Sequence, residues 1–291
     1  MSPFLDRLRS GLTLLLDGGL GSMILARGLS RGQAPESWNE ARPDEVTAVH
    51  RAYVEAGSDA VQTNTFGGHP ARLARAGLLD RCEAIQAAAV RLARAASPRF
   101  VIGDLGPSGE YLPPVGRADA AEWRSGFERQ GRALAEAGPD ALHVETMSDL
   151  REARVALASL KAVAPHLPVL VSMTFERKKR GFFTVMGDPL VASLKALVEA
   201  GADAVGANCT LASPDLRDLA AEARATLSVP LVVQPNAGQP QPTVEGGVRY
   251  AQDPERFAED MAAVAALGVA AVGGCCGTDP RFIQALRRRL G

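Results

Sequence analysis

Two cysteines stand side by side between glycines in Gly273-Gly274-Cys275-Cys276-Gly277-Thr278, directly after the apolar run Val269-Ala270-Ala271-Val272. A third, Cys209 in Ala207-Asn208-Cys209-Thr210, follows the apolar run Asp203-Ala204-Val205. Three sulfurs favour zinc over magnesium or calcium, and glycine lets backbone approach a ligand closely. If both runs are neighbouring strands of one parallel sheet, the sulfurs converge at their C-terminal ends. One coordination position then stays open, as in a catalytic zinc site. Three thiolates make such an ion a poor Lewis acid for carbonyls, but suit it to hold a fourth sulfur as a thiolate at neutral pH. Cys82, in a helical stretch, reads as a small buried hydrophobe. His50, His69 and His166 fall in helices or at helix starts and read as surface or packing residues. His143 lies two residues before Glu145 and reads as a core histidine, with support of the site as the alternative.

These residues need strands to position them. Eight apolar runs of strand length alternate with helix-length stretches: Thr13–Asp17, Asp59–Thr65, Arg99–Leu105, Asp140–Thr146, Pro168–Thr174, Asp203–Cys209, Pro230–Asn236 and Val269–Cys275. Helix starts are marked by Ser213-Pro214, Asp253-Pro254 and Asp279-Pro280, each a capping side chain before proline, and more weakly by Ser148-Asp149. Eight alternating units predict a single α/β domain over residues 1–291, a (β/α)8 TIM barrel. No G-x-G-x-x-G follows the first run, which disfavours an open doubly wound sheet. An internal repeat supports the barrel. Glu55-Ala56-Gly57-Ser58-Asp59-Ala60-Val61 returns as Glu136–Leu142 and Glu199–Val205, then fades to Ala266–Val272. Each copy reads as a helix end, a glycine cap and a turn into every second strand.

Composition fits a globular chain: 46% of the 291 residues are hydrophobic, 22% are charged, and the formal net charge is -1. That balance gives no electrostatic case for nucleic acid or membrane surfaces. No apolar stretch reaches the roughly 20 residues of a membrane span, and the first residues lack a signal-peptide pattern. The expectation is a cytoplasmic protein with reduced cysteines.

In a TIM barrel, function gathers where strands end. The eight runs end on Asp17, Thr63 and Asn64, Asp104, Glu145, Thr174, Cys209, Asn236, and Cys275 with Cys276. Any one of these reads equally as a turn residue; eight of eight point to a site. Asp17 and Glu145 suit a general acid and base or, alternatively, acceptors for a substrate ammonium group. The loop Asp17-Gly18-Gly19-Leu20-Gly21-Ser22 reads as a source of free N–H groups for a carboxylate. Ammonium and carboxylate receptors beside a thiolate-binding metal describe an amino acid with a thiol. Three long loops, 106–119, 175–188 and 237–252, follow strands and so lie on the same face as candidate lids. The second carries Arg177, Lys178, Lys179 and Arg180, read as a solvated run, or alternatively as a recruiting surface.

Asp17–Ser22, Thr63-Asn64-Thr65-Phe66, Glu145-Thr146, Asn208-Cys209, Pro235-Asn236-Ala237-Gly238 and Gly273–Thr278 together resemble the homocysteine S-methyltransferase family over about residues 12–290. The resemblance implies a TIM barrel that moves a methyl group from a donor to the thiol of L-homocysteine, giving methionine. It implies Zn2+ held by Cys209, Cys275 and Cys276. It implies that Asp17 and Glu145 hold the amino acid end, with Gly18, Gly19, Thr63 and Asn64 also at the substrate. Asn236 matches an asparagine that fills the open zinc position in one branch until homocysteine displaces it. Thr63–Phe66 and Gly106-Pro107-Ser108-Gly109 look most like the homocysteine module of cobalamin-dependent methionine synthase, while Ser22 departs mildly from the threonine or alanine of many members. The donor stays open among S-methylmethionine, S-adenosylmethionine, a betaine-like compound and methylcobalamin. Two rivals remain: a homocysteine-binding subunit that works only with a separate corrinoid or folate protein, and a metal-free phosphate-binding barrel lyase using the last glycine loop.

Overall fold

The structure, a computed structural model, describes residues 2–30, 32–242 and 248–291. Eight parallel strands form one sheet: β1 Leu14–Leu15, β2 Ala60–Gln62, β3 Phe100–Leu105, β4 Ala141–Met147, β5 Val169–Met173, β6 Ala204–Ala212, β7 Leu231–Asn236 and β8 Ala271–Val272. Each falls within, or overlaps, one of the eight apolar runs. After each comes its helix, in order Pro43–Glu55, Cys82–Ala95, Ala120–Ala137, Leu150–Val163, Leu190–Glu199, Ser213–Arg224, Pro254–Ala266 and Pro280–Leu290. Asp149, Asp253 and Asp279 cap their helices as expected. Ser213 does not. It is the first helical residue, and its hydroxyl donates to Asp260 at 2.7 Å, so Ala212 takes the cap position.

The ladder runs β2-β3-β4-β5-β6-β7-β8-β1. Closure between β1 and β2 depends on a few specific bonds. Asp59 N–H donates to Leu15 O at 2.7 Å, and Leu15 N–H donates back to the Asp59 carboxylate at 2.9 Å. One turn higher, Gln62 N–H donates to the Asp17 carboxylate at 3.0 Å. A side chain there stands in for a strand carbonyl.

The internal repeat has a structural role on the N-terminal face. Asp59 accepts the N–H of Leu15, Asp140 that of Val101, and Asp203 that of Val169, at 2.7–2.9 Å. Each aspartate therefore ties its strand to a preceding odd strand. Arg287, Arg94 and Lys161 respectively pair with these carboxylates. The alanine after each aspartate points into the lumen. Ala60, Ala141, Ala204 and Ala271 pack with Leu14, Leu16, Ile102, Leu170 and Val232 in a cluster separate from the larger layer between sheet and helices. Small residues on even strands leave room for large ones on odd strands, the interdigitation a barrel axis needs. Helix Pro3–Leu8 plugs the floor, with Phe4 edge-on to Phe100 at 5.3 Å.

Two short hairpins lie inside the long loops. Glu176–Lys178 pairs with Gly181–Phe183, and Gln241–Pro242 with Val248–Arg249; residues 243–247 of the 237–252 loop lie outside the described residues. Arg177 is bound to Asp215 and Asp218 of its own domain and stacks on Phe182, so it is not a free charge. No described helix is long and apolar enough to cross a membrane.

Candidate active site

β4 and β6 do not stop where their apolar runs stop. Each continues through a bulge, between Val144 and Met147 and between Asn208 and Ala212. Bulges re-aim side chains. Here they come with residues in the left-handed region: Thr146 at φ 62°, Cys209 at 58° and Thr210 at 48°. Two threonines and a cysteine in that conformation store about 1–3 kcal/mol each, a cost that clusters at functional sites.

The bulge on β6 brings Cys209 to the last loop. Its sulfur lies 3.9 Å from that of Cys276, and the sulfurs of Cys209, Cys275 and Cys276 all lie within 4.8 Å of one another. Without a cation they cannot all ionise. Hydrogen bonds from Cys275 and Cys276 hold the Cys209 thiol far below its ordinary range, and the same bonds push Cys275 and Cys276 up. Tyr250 packs on Gly277 beside Cys276; burial, with the Cys276 charge adding to it, pushes its hydroxyl up.

The glycine loop spends its amides internally. Gly273 N–H donates to Val233 O, Gly274 to Asp17 O, Cys275 to Pro235 O, and Thr278 to Cys275 O. Cys276 N–H donates to Asn236 Oδ1 at 3.0 Å, and Gly277 N–H to Ser22 Oγ at 3.0 Å. Every N–H from 273 to 278 is used, so the loop presents sulfurs to the mouth and has no amide for a phosphate. The metal-free phosphate reading loses its binding site on this ground.

The first loop is bound at its centre. Gly19 N–H donates to the carbonyl and hydroxyl of Thr278 at 2.9 and 3.1 Å, so it is not free for a carboxylate. Gly18 and Gly19 are needed for close packing: a Cβ on Gly19 would meet Cys275 O at 2.4 Å, and one on Gly18 would meet Thr278 O at 2.5 Å. Thr63 and Asn64 line the cavity with their side chains committed elsewhere. Thr63 Oγ1 accepts the Asp104 N–H at 3.0 Å, and Asn64 Nδ2 donates to Pro35 O and Asn39 Oδ1 at 2.8 and 2.9 Å.

Three carboxyl groups are buried at this end of the barrel: Asp104 and Glu145 line the cavity with the sulfurs, whereas Asp17, predicted to hold substrate, is not among its described lining residues. Asp17 Oδ2 receives Gln62 N–H, while Asp17 Oδ1 and Asp104 Oδ1 are buried with no hydrogen-bond partner. Burial pushes all three upward, Glu145 to about 7; repulsion from Glu145 adds to the rise at Asp17 and Asp104. Orphaned acceptors in a low-dielectric site favour a cationic ligand.

Three residues that sequence reasoning missed organise these acids. Asn208, quoted only as a motif neighbour of Cys209, donates from Nδ2 to Glu145 Oε2 at 2.9 Å and to Thr146 Oγ1 at 2.8 Å, and accepts Thr146 N–H at 2.8 Å. Gln234 donates to Gln62 Oε1 at 2.7 Å across the lumen, and Gln62 reaches Glu145 Oε2 at 3.5 Å. Their signal was available: both glutamines interrupt apolar strands at lumen positions. His143 is a core histidine, bonded to Ser172 at 2.8 Å and pushed down to about 3 by burial. His50 is buried, and His69 accepts Ala71 N–H at a helix start, both packing residues. Cys82 is buried as expected.

The model of the homocysteine S-methyltransferase family matches residues 14–290. The chain belongs to this family. It is 35% identical over 291 residues to the methionine synthase of Mycobacterium tuberculosis and 34% identical over 266 residues to that of Mycobacterium leprae. These alignments take in 92% and 86% of the chain, but the chain spans only 24% and 21% of those relatives' length. In three dimensions it is similar to the metallated form of the homocysteine methyltransferase MmuM from Escherichia coli, with a TM-score of 0.81 and 27% identity over 97% of this chain and 99% of the other. The TIM barrel and the family reading of the motifs therefore stand together.

Proposed function

We propose that this protein transfers a methyl group to the sulfur of L-homocysteine, giving methionine, with zinc held by Cys209, Cys275 and Cys276. The observation that carries the reading is the meeting of three sulfurs with ammonium-accepting carboxyls at the mouth of one barrel. The sulfurs fit the ion: tetrahedral Zn–S bonds of about 2.3 Å separate ligands by about 3.8 Å, and Cys209 and Cys276 are 3.9 Å apart.

Bound zinc supplies positive charge that lowers the pKa of the substrate thiol, so no dedicated base is needed. The chain's own residues do the rest. Glu145 and Asp17 accept the ammonium group, which in turn draws their protons off. Asn208 and Gln62 fix the Glu145 carboxylate so that it meets the ligand in one orientation. Asn236 holds Cys276 through its backbone, and Ser22 holds Gly277. Leu20, Pro35 and Phe66 wall the cavity and keep water from the sulfur as the methyl group arrives.

The donor divides two readings. A small-molecule donor, S-methylmethionine, S-adenosylmethionine or a betaine-like compound, makes the chain a complete enzyme. Methylcobalamin on a separate corrinoid protein makes it a homocysteine-presenting subunit, a reading favoured by its 35% identity to a methionine synthase four times its length. The test is metal analysis of freshly reduced protein, followed by methionine formation with each donor in turn. About one zinc per chain and turnover with any donor supports the proposal; no zinc after reconstitution, and no homocysteine binding, overturns it.

A further inference from the structure

Seven acids are buried among the described residues. Asp17, Glu36, Glu145, Asp149, Glu152 and Asp260 each accept at least one hydrogen bond from the protein. Asp104 is the seventh. It is 4% exposed, its Oδ1 has no partner, and no hydrogen bond of normal geometry reaches its carboxyl group from the described residues. Its backbone is nonetheless pinned. Thr63 Oγ1 accepts the Asp104 N–H at 3.0 Å, and Thr65 Oγ1 donates to the Asp104 carbonyl at 2.7 Å. Two threonines after β2 thus fix an unpartnered carboxyl group at the cavity wall. Burial disfavours its charge; Glu145, Asp17 and Glu36 add to that, and the Gln62 amide eases it. Arg72, the single base among the described lining residues, favours the ionised form of Glu36. A buried carboxyl group with neither donor nor counter-charge is unfavourable until one arrives, so this position favours a cationic ligand.

The sheet order places this group. β3, which ends on Asp104, stands across the eight-stranded ring from β7, and β7 lies between β6, which carries Cys209, and β8, which leads into Cys275 and Cys276. Glu145, on β4, is one strand nearer to β6 and feels the charge of Cys209. We propose that Asp104 is the receptor for a second positive centre, the onium group of a cationic small-molecule methyl donor, beyond the homocysteine ammonium taken by Glu145 and Asp17. The inference rests on the homocysteine reading above and supports its small-molecule branch. A donor attacked by a sulfur held on the β6–β8 side enters from the opposite side, where Asp104 stands. In the transfer the thiolate's electron pair forms the new S–C bond, the pair of the old bond stays on the donor, and both charges disappear. The demethylated donor is then neutral at that centre and loses its attraction to Asp104, which favours its release.

The test is calorimetric titration of zinc-loaded protein with L-homoserine present, whose hydroxyl accepts no methyl group, so that binding is read without turnover. The ligands are pairs that differ in the charge at the onium atom: S-methylmethionine against 2-amino-5-methylhexanoic acid, betaine against 3,3-dimethylbutanoate, and S-adenosylmethionine against S-adenosylhomocysteine. Wild type prefers the cationic member of at least one pair by about 10- to 100-fold. Asp104→Asn, close to isosteric, cuts that preference about tenfold or more and leaves the neutral member's affinity unchanged. It also leaves the affinity for L-homocysteine, titrated alone, unchanged. Asp104→Ser, smaller and equally neutral, does the same, which guards against a folding defect peculiar to one variant. No preference in wild type on any pair, a preference that survives in both variants, or equal weakening of both members overturns the assignment. A comparable fall in the affinity for homocysteine itself gives Asp104 to the substrate ammonium and overturns the donor role. Wild type that binds zinc but no homocysteine overturns the function itself and this inference with it.

Discussion

Asn208 binds the carboxylate of Glu145 through the same side-chain nitrogen that lies 3.9 Å from the sulfur of Cys275, with the Glu145 contact at 2.9 Å. The residue next to one cysteine thereby sets the acid proposed above to face the substrate amine. Asn208→Ala is expected to weaken homocysteine binding about tenfold, the scale of one charge-assisted bond, with zinc retained. Titration alongside metal analysis checks this; unchanged affinity would show that Glu145 holds its orientation without Asn208.

Cys275→Ser removes one of three sulfurs from a loop whose backbone bonds remain intact. The expected outcome is a folded protein with far less than one zinc per chain and no methyl transfer. Full zinc and full turnover would refute the ligand assignment.

Asp17 has a seam bond and a proposed binding role, which substitution can separate. Asn at position 17 keeps an acceptor for Gln62 N–H but loses the charge; Ala loses both. Asp17→Asn is expected to keep the unfolding midpoint near wild type while homocysteine binding falls. Asp17→Ala is expected to lose about 1–3 kcal/mol as well, the cost of an unpaired amide in the barrel seam. Denaturant melts compare them; equal stability of the two variants would mean the seam does not depend on this bond.

Glu145 makes zinc-free stability depend on pH. Its folded pKa is raised to about 7, chiefly by burial, with the charge on Cys209 adding to it. A raised carboxyl favours the folded state while protonated, so its contribution is fully present below the unfolded value of about 4.3 and is lost as pH rises to about 7. Glu145→Gln should therefore stabilise the zinc-free protein at pH 8 by on the order of 3 kcal/mol, and by little at pH 4. Urea melts at both pH values decide it; a gain that does not grow with pH contradicts the burial argument.

Gly19→Ala places a methyl group 2.4 Å from Cys275 O. The cysteine loop must shift, and zinc affinity is expected to fall although no ligand is changed. A competition titration against a chelator measures the loss.

The strands were legible because each even strand opens with the same local grammar, a glycine turn, then Asp-Ala or its faded form, then branched residues. The three cysteines were legible because adjacent sulfurs between glycines have few other uses. The bulges at Thr146 and Cys209 were not, because a bulge is defined by register against the neighbouring strand, which no local pattern encodes. Asn208, Gln62 and Gln234 were missed for a related reason: their partners lie 40 to 172 residues away, across the lumen. The expectation of free amides along Asp17–Ser22 failed at Gly19, because Thr278, at the other end of the chain, takes its N–H.

The bond from Gln62 N–H to Asp17 ties the last joint of the cylinder to a group proposed above to meet the substrate amine. For anyone redesigning which thiol this scaffold accepts, the mouth is thus divided. Position 145, on the fourth unit, can be exchanged with the cylinder closed; at position 17, residues that offer no oxygen to β2 also weaken the seam. A library that varies both freely would mix changes in binding with changes in stability, and only variants that keep the seam would report on the ligand alone.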